Sequence, residues 1–95
     1  MRVEWSSTAL ADLNRFHSFL QDRYPLIASR VAEELRRRVR ILSVFPMLGQ
    51  SVHSEYREWI VPALNSEYVV RYRVEDDVVT IMRVFHGQED REMEA

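Results

Sequence analysis

The stretch that decides the fold is Tyr68-Val69-Val70-Arg71-Tyr72-Arg73-Val74-Glu75-Asp76-Asp77-Val78-Val79-Thr80-Ile81-Met82-Arg83-Val84-Phe85-His86. Its side chains repeat with period 2: Tyr68, Val70, Tyr72 and Val74 fall on one face of an extended chain, Val69, Arg71, Arg73 and Glu75 on the other. Glu75-Asp76-Asp77 interrupts a run that is otherwise β-branched, so residues 68–75 and 78–86 read as two strands of a hairpin. Upstream, Arg57-Glu58-Trp59-Ile60-Val61 reads as a third, shorter strand that Pro62 halts. Residues 50–56 are polar and read as a loop.

Before Pro46-Met47-Leu48-Gly49 the period changes to 3.6. Pro46 disfavours helix in the residue before it and Gly49 permits a sharp turn, so the helical region ends there. Ala28, Val31, Ala32, Leu35, Val39 and Leu42 form the apolar stripe of a helix over residues 25–44, with Pro25 in its first turn. Ala9, Leu13, Phe16 and Leu20 form the stripe of another over residues 7–22, which Ser6, Ser7 and Thr8 can cap and near whose start Asp12 adds negative charge. The joint at Tyr24-Pro25 is short enough to force an antiparallel helical hairpin. Met1 to Trp5 alternates and reads as a strand. The expected fold is therefore α+β: an N-terminal strand, an antiparallel helical hairpin and a three-stranded antiparallel meander, with the helices on one face of the sheet. The other sheet face is then exposed or covered by a partner. The whole of residues 1–95 reads as a single domain, with residues 87–95 as a loose acidic tail.

Composition narrows the function. Net charge is −2, so the chain is not a generally basic nucleic-acid binder. All 13 basic residues are arginine, which reflects either codon bias or recognition of carboxylates and phosphates by guanidinium forks. Chemistry that needs a lysine amine is excluded. Cysteine is absent, which removes disulfides and thiolate metal sites. His17 and His53 have no neighbours at ligand spacing, so neither a metal nor another cofactor is expected. No apolar run approaches the roughly 18–20 residues that span a bilayer, and the N-terminus lacks a signal-type apolar segment; a cytoplasmic protein is expected.

The ordered set of residues resembles the RelE/ParE toxin family. The resemblance rests on the starting strand running into Ala9, Asp12 and Leu13, on Pro46 and Gly49, on Arg57-Glu58, on Tyr68 to Val74 followed by Glu75-Asp76-Asp77, and on Val79, Ile81, Arg83, Val84, His86 and Gly87. It implies the toxin of a type II toxin–antitoxin pair, neutralised by a small antitoxin whose C-terminal segment folds onto this domain. The family divides into RelE-like toxins, which cut messenger RNA on the ribosome, and ParE-like toxins, which poison DNA gyrase. Self-cleavage of RNA needs a base, an acid and positive charge on the phosphate. This chain has no lysine, has Val69 where ribonuclease members carry an arginine, and has Gly87 after His86. Those departures favour the ParE-like branch, with an inactive relative that only binds antitoxin as a third reading.

If the chain were a nuclease, Arg57, Arg83 and His86 would be its candidate catalytic residues. Arg57, Trp59, Arg83 and His86 are the target-contact candidates. Each has a structural alternative: Arg83 pairing with a carboxylate, His86 closing the sheet edge, Arg57 and Glu58 forming an ion pair, Trp59 half-buried in the core. Three positions separate Arg83 from His86, which puts them on opposite faces of a regular strand. Arg36, Arg37, Arg40, Arg71 and Arg73 are the candidate antitoxin contacts. The alternative for the run from Glu33 to Arg40 is a solvated helix face with Glu33 paired to Arg37.

Overall fold

The computed structural model describes residues 1–87. The chain runs β1 (Arg2–Trp5), α1 (Ser7–Leu20), α2 (Pro25–Val39), a 3-10 turn (Arg40–Ser43), β2 (Gln50–His53), β3 (Tyr56–Ala63), β4 (Ser66–Glu75) and β5 (Val78–His86). The strands form one sheet in the order β1-β5-β4-β3-β2. β2 to β5 are an antiparallel meander, and β1 returns to pair in parallel with β5, Val3 opposite Val79 and Trp5 opposite Ile81. Parallel neighbours need a long connection; here the helices and the meander provide it.

The two periodicities meet in one core. Ala9, Leu13 and Phe16 of α1 and Val31, Leu35 and Val39 of α2 are buried with Leu42 against Val61, Tyr68, Val70, Tyr72, Val79, Ile81 and Val84. Truncating one of the fully enclosed residues, such as Leu35 to alanine, costs about 2–5 kcal/mol. Two of the three hairpin turns, β3–β4 and β4–β5, have two central residues with positive φ, Leu64 and Asn65 (49° and 67°) and Asp76 and Asp77 (53° and 62°). That handedness matches the right-handed twist of the flanking strands.

Several boundaries differ from those expected. The first helix ends at Leu20 rather than residue 22, and the second ends at Val39 rather than continuing to residue 44. Its continuation tightens to 3-10 geometry, which gives terminal carbonyls nearer partners, as in Val44 N–H to Ile41 O at 3.0 Å. Residues 50–53 form a strand, not a loop. All four are exposed, so no apolar alternation marks them. β3 continues through Pro62 to Ala63, with Pro62 in register with Glu67. Proline is tolerated there because β2 pairs only with residues 56–58, leaving the outer edge of β3 unpaired at Pro62. The meander thus has four strands instead of three, and β1 makes a fifth.

The sheet face away from the helices is also not uniformly open. Val69, Arg71 and Phe85 lie on it and are buried. Five consecutive residues of β4, Tyr68 to Tyr72, are enclosed on both sides.

Candidate functional site

The densest polar cluster forms where β1 stops. Past Trp5 and Ile81 the edge of β5 has no strand beside it, so its backbone groups need other partners. Ser6 supplies one. Its N–H donates to Ile81 O at 3.0 Å, its hydroxyl donates to Met82 O at 3.1 Å, and the same oxygen caps α1 by accepting from Ala9 N–H at 3.1 Å. Asp12, one turn further along α1, supplies the other by accepting Val84 N–H at 2.8 Å. A bulge opposite Arg71 and Tyr72 places the extra residue, Met82, in β5 and sets Arg83 against the same carboxylate. Arg83 donates Nε to Asp12 Oδ2 at 2.9 Å and Nη2 to Oδ1 at 3.1 Å, while Arg15 Nη2 lies 3.4 Å from Oδ1. The bidentate fork satisfies a carboxylate that is only 5% exposed.

A second ion pair closes the face away from the helices. Arg71 donates Nε and Nη2 to Glu58 Oε2 at 3.0 and 2.9 Å. Its guanidinium lies over the Tyr56 ring at 4.5 Å and over Phe85 at 5.1 Å, and Arg83 lies over Phe85 at 4.8 Å. Two cations thus cap one buried aromatic ring. Arg73, on the same strand face, is exposed. Glu58 therefore pairs with Arg71 and not with Arg57.

Arg57 registers with Tyr72, on the helix-side face, and donates to Gly49 O at 2.9 Å and Met47 O at 3.3 Å. It fastens the connection that Tyr72 also holds: the Tyr72 hydroxyl accepts from Gly49 N–H at 2.8 Å and donates to Pro46 O at 2.7 Å. Gly49 must be glycine, because a Cβ there would stand 2.8 Å from both Glu58 O and Tyr72 Cε1. Trp59 packs against the core as a partly buried residue.

His86 lies at the other end of the meander, where its ring meets Tyr68 edge-on at 5.5 Å, and Tyr68 meets Phe16 at 5.3 Å. Burial pushes the Tyr68 phenol above its ordinary pKa. These rings line a groove of about 800 Å³ with Arg15, Phe19, Leu20, Tyr24, Ile27 and the Leu64 turn. Phe19, at 81% exposed, sits on its rim. The groove is mostly apolar and joins the end of the helical hairpin to the β3–β4 turn.

On α2, Glu34, not Glu33, is the acidic partner: it accepts from Arg37 and, at 2.9 Å, from Arg38. The Arg37 hydrogen bond holds the Glu34 carboxyl below the ordinary range, desolvation opposes it, the Arg38 hydrogen bond adds to it, and the Arg37 pKa rises in return. Arg36, Arg37 and Arg40 are exposed. They belong to the helical layer, and Arg71 and Arg73 to the far face of the sheet, so the five arginines form two groups.

The three candidate catalytic residues do not converge. The registers align Arg57 with Tyr72 and Ile81, and His86 with Tyr68. Four strand residues, roughly 14 Å, and two strand spacings, roughly 10 Å, therefore separate Arg57 from His86. The bulge lies before Arg83, so Arg83 and His86 remain on opposite faces. Among the described residues no group of histidine, aspartate or glutamate could hold a metal ion, and no helix is long and apolar enough to cross a membrane. Asp12 was the site residue hardest to foresee. Beside its place near the helix start, its signal is an acidic residue on the apolar stripe, three after Ala9 and four before Phe16.

A helical hairpin packed on one face of a five-stranded sheet is the α+β architecture that the resemblance to RelE/ParE toxins implies. The chain belongs to the ParE toxin family of type II toxin–antitoxin systems (parDE), whose family model matches residues 3–91. It is 36% identical over 86 residues to Toxin RelE1 of Caulobacter vibrioides, covering 90% of this chain and 92% of that one. It is 34% identical to Toxin RelE2 of the same organism, over 90% and 94%. Its fold is similar to a chain of the chromosomal ParDE system of P. aeruginosa, with a TM-score of 0.75 at 19% identity over 90% and 95% of the two chains. It is also similar to a chain of the RelBE2 toxin–antitoxin complex of Mycobacterium tuberculosis, with a TM-score of 0.55 at 24% identity over the same shares.

Proposed function

We propose that this toxin acts as ParE-like proteins do, by inhibiting DNA gyrase without cutting nucleic acid, and that a cognate antitoxin holds it inactive. One observation supports the non-hydrolytic reading above the others. Arg57 is bonded to two loop carbonyls, Arg83 to Asp12, and His86 lies on the far side of the sheet from Arg83. Acid–base cleavage needs its groups within about 3 Å of one phosphodiester, and these three do not approach that. The antitoxin partner is supported by the two similar structures, which come from a ParDE system and a RelBE2 complex. The apolar groove of Phe19, Tyr24, Ile27, Leu64 and Tyr68 suits an amphipathic helix or extended apolar segment. The exposed Arg36, Arg37, Arg40 and Arg73 suit acidic residues flanking it, whereas Arg71 sits beneath the surface on Glu58. Trp59, Arg57, Arg83 and His86 remain the proposed target contacts.

The names of the curated relatives favour a second reading, a ribosome-dependent endoribonuclease. Purified full-length chain, added to gyrase and relaxed plasmid, separates the two. Loss of supercoiling with accumulation of cleaved plasmid is expected. Intact supercoiling, with codon-phased transcript ends after induction in cells, would reverse the assignment. Undisturbed growth after induction without the antitoxin would instead identify an inactive relative.

A further inference from the structure

The geometry points to self-association of this chain through its β2 edge, two copies pairing antiparallel about Ser51 and Val52. The two ends of the sheet are built differently. At one end β1 carries Arg2 and Glu4, an exposed ion pair at 2.8 Å, and charge of this kind blunts an edge against further pairing. At the other end the free part of β3 carries Pro62, which also resists pairing. β2, Gln50-Ser51-Val52-His53, which covers the rest of β3 and forms the edge at that end, has neither charge nor proline, and all four residues are exposed. At its bulge the register skips Val52, which is left without a β3 partner and 49% exposed.

Apolar surface surrounds this edge. The connection leading into it exposes Phe45, Met47 and Leu48, and Ile60 is exposed on the neighbouring strand. Extending the pairing of Gln50 with Glu58 by two residues brings Leu48 level with Ile60. With Val52 these five side chains are 45–61% exposed. At about 100 Å² each they expose roughly 500 Å² in total, an area of the size of a monomer's larger apolar patches. Two such patches with the strand backbones come to about 1,200 Å², where specific interfaces begin. A second copy is the occupant that fits, because an uncharged strand needs no oppositely charged partner and an isologous pair buries the same apolar patch twice. This edge is separate from the helical groove, so the inference stands apart from the antitoxin reading.

The absence of cysteine makes the test direct. Facing residues of an antiparallel pair have Cα atoms about 4.5–5.5 Å apart, inside the disulfide range. Ser51→Cys and Val52→Cys, made singly in the full chain, are oxidised beside Ser18→Cys, an exposed α1 control. At least one edge variant is expected to form covalent dimer roughly tenfold faster than the control. Sedimentation equilibrium is expected to give a dimer mass at tens of micromolar. Val52→Asp is expected to give a monomer with an unchanged far-UV spectrum. A monomer at every concentration, equal cross-linking at Ser18→Cys, or a Val52→Asp dimer would overturn the proposal and leave the edge to a different polypeptide or to solvent.

Discussion

Replacing Asp12 with alanine should damage this protein more than any other single charge deletion among the described residues. The carboxylate is 5% exposed and accepts four contacts: Val84 N–H at 2.8 Å, Arg83 at 2.9 and 3.1 Å, and Arg15 at 3.4 Å. Removing it leaves the Val84 N–H without its acceptor inside a strand and takes the bidentate carboxylate from a guanidinium that is only 20% exposed. Breaking a buried pair from one side costs about 3–5 kcal/mol. Arg83 keeps some solvent and the Phe85 ring, so the lower part of that range applies, about 3–4 kcal/mol. Against a total stability of roughly 5–15 kcal/mol this is a large share. It should lower Tm by about 15–25 °C. Asp12→Asn keeps an oxygen for Val84 N–H but turns a neutral amide to Arg83, and should cost about 2 kcal/mol. The double variant Asp12→Ala with Arg83→Met removes the stranded charge and should be about 1–2 kcal/mol more stable than Asp12→Ala alone. Urea titration followed by far-UV circular dichroism measures all three, with an unchanged m-value showing that the same surface unfolds. A cost below about 1 kcal/mol for Asp12→Ala, or strict additivity in the double variant, would refute the role of Asp12 as a surrogate for the missing strand.

Tyr72→Phe should cost about 1–3 kcal/mol in the same titration, because the buried Gly49 N–H loses its acceptor. Gly49→Ala should also be destabilising, since the backbone oxygen of Glu58 cannot move away as a flexible side chain would. Asp76→Asn with Asp77→Gly should raise stability by about 0.5–1 kcal/mol, as both positions have positive φ and are exposed. The lowered Glu34 pKa fixes a sign. Its pairing contributes in full above the ordinary glutamate pKa and is lost as pH falls through the lower folded value. Glu34→Gln should remove that part of the acid dependence at low salt and make little difference in 1 M salt, roughly a 3 Å screening length; an acid limb unchanged by the variant would contradict the pairing. Conversely, the raised Tyr68 pKa means stability present at neutral pH declines as pH rises past the ordinary phenol range, and Tyr68→Phe should flatten that decline.

The arginine composition acquires a structural meaning from these contacts. Arg57, Arg71 and Arg83 each reach inward, to loop carbonyls, to Glu58 and to Asp12. Planar forks with several fixed donors suit such sites better than a point-charged ammonium. The alternatives weighed for Arg83 and Trp59, a carboxylate pair and a half-buried packing role, match what the structure holds. Arg57 and Glu58 do not pair with each other.

What the amino-acid order determines by itself is the set of elements and their buried faces. Periods of 2 and 3.6 are local properties, so Tyr68, Val70 and Tyr72 could be assigned to the core, and Ala9, Leu13 and Phe16 to the helix that covers it, from spacing alone. The break at Pro46 and the turn at Asp76 are legible for the same reason, since those residues constrain their own backbone. Non-local pairing lies beyond such reasoning. β2 has no apolar alternation and exists because β3 offers it a partner, and Pro62 survives in a strand because no neighbour needs its missing N–H. Asp12 reads as a helix-start charge until β1 ends opposite Ile81, two residues short of Arg83, and leaves an edge for it to close. Whether Arg83 and His86 could share a substrate depended on where one extra residue entered β5, and only the assembled sheet fixes that register.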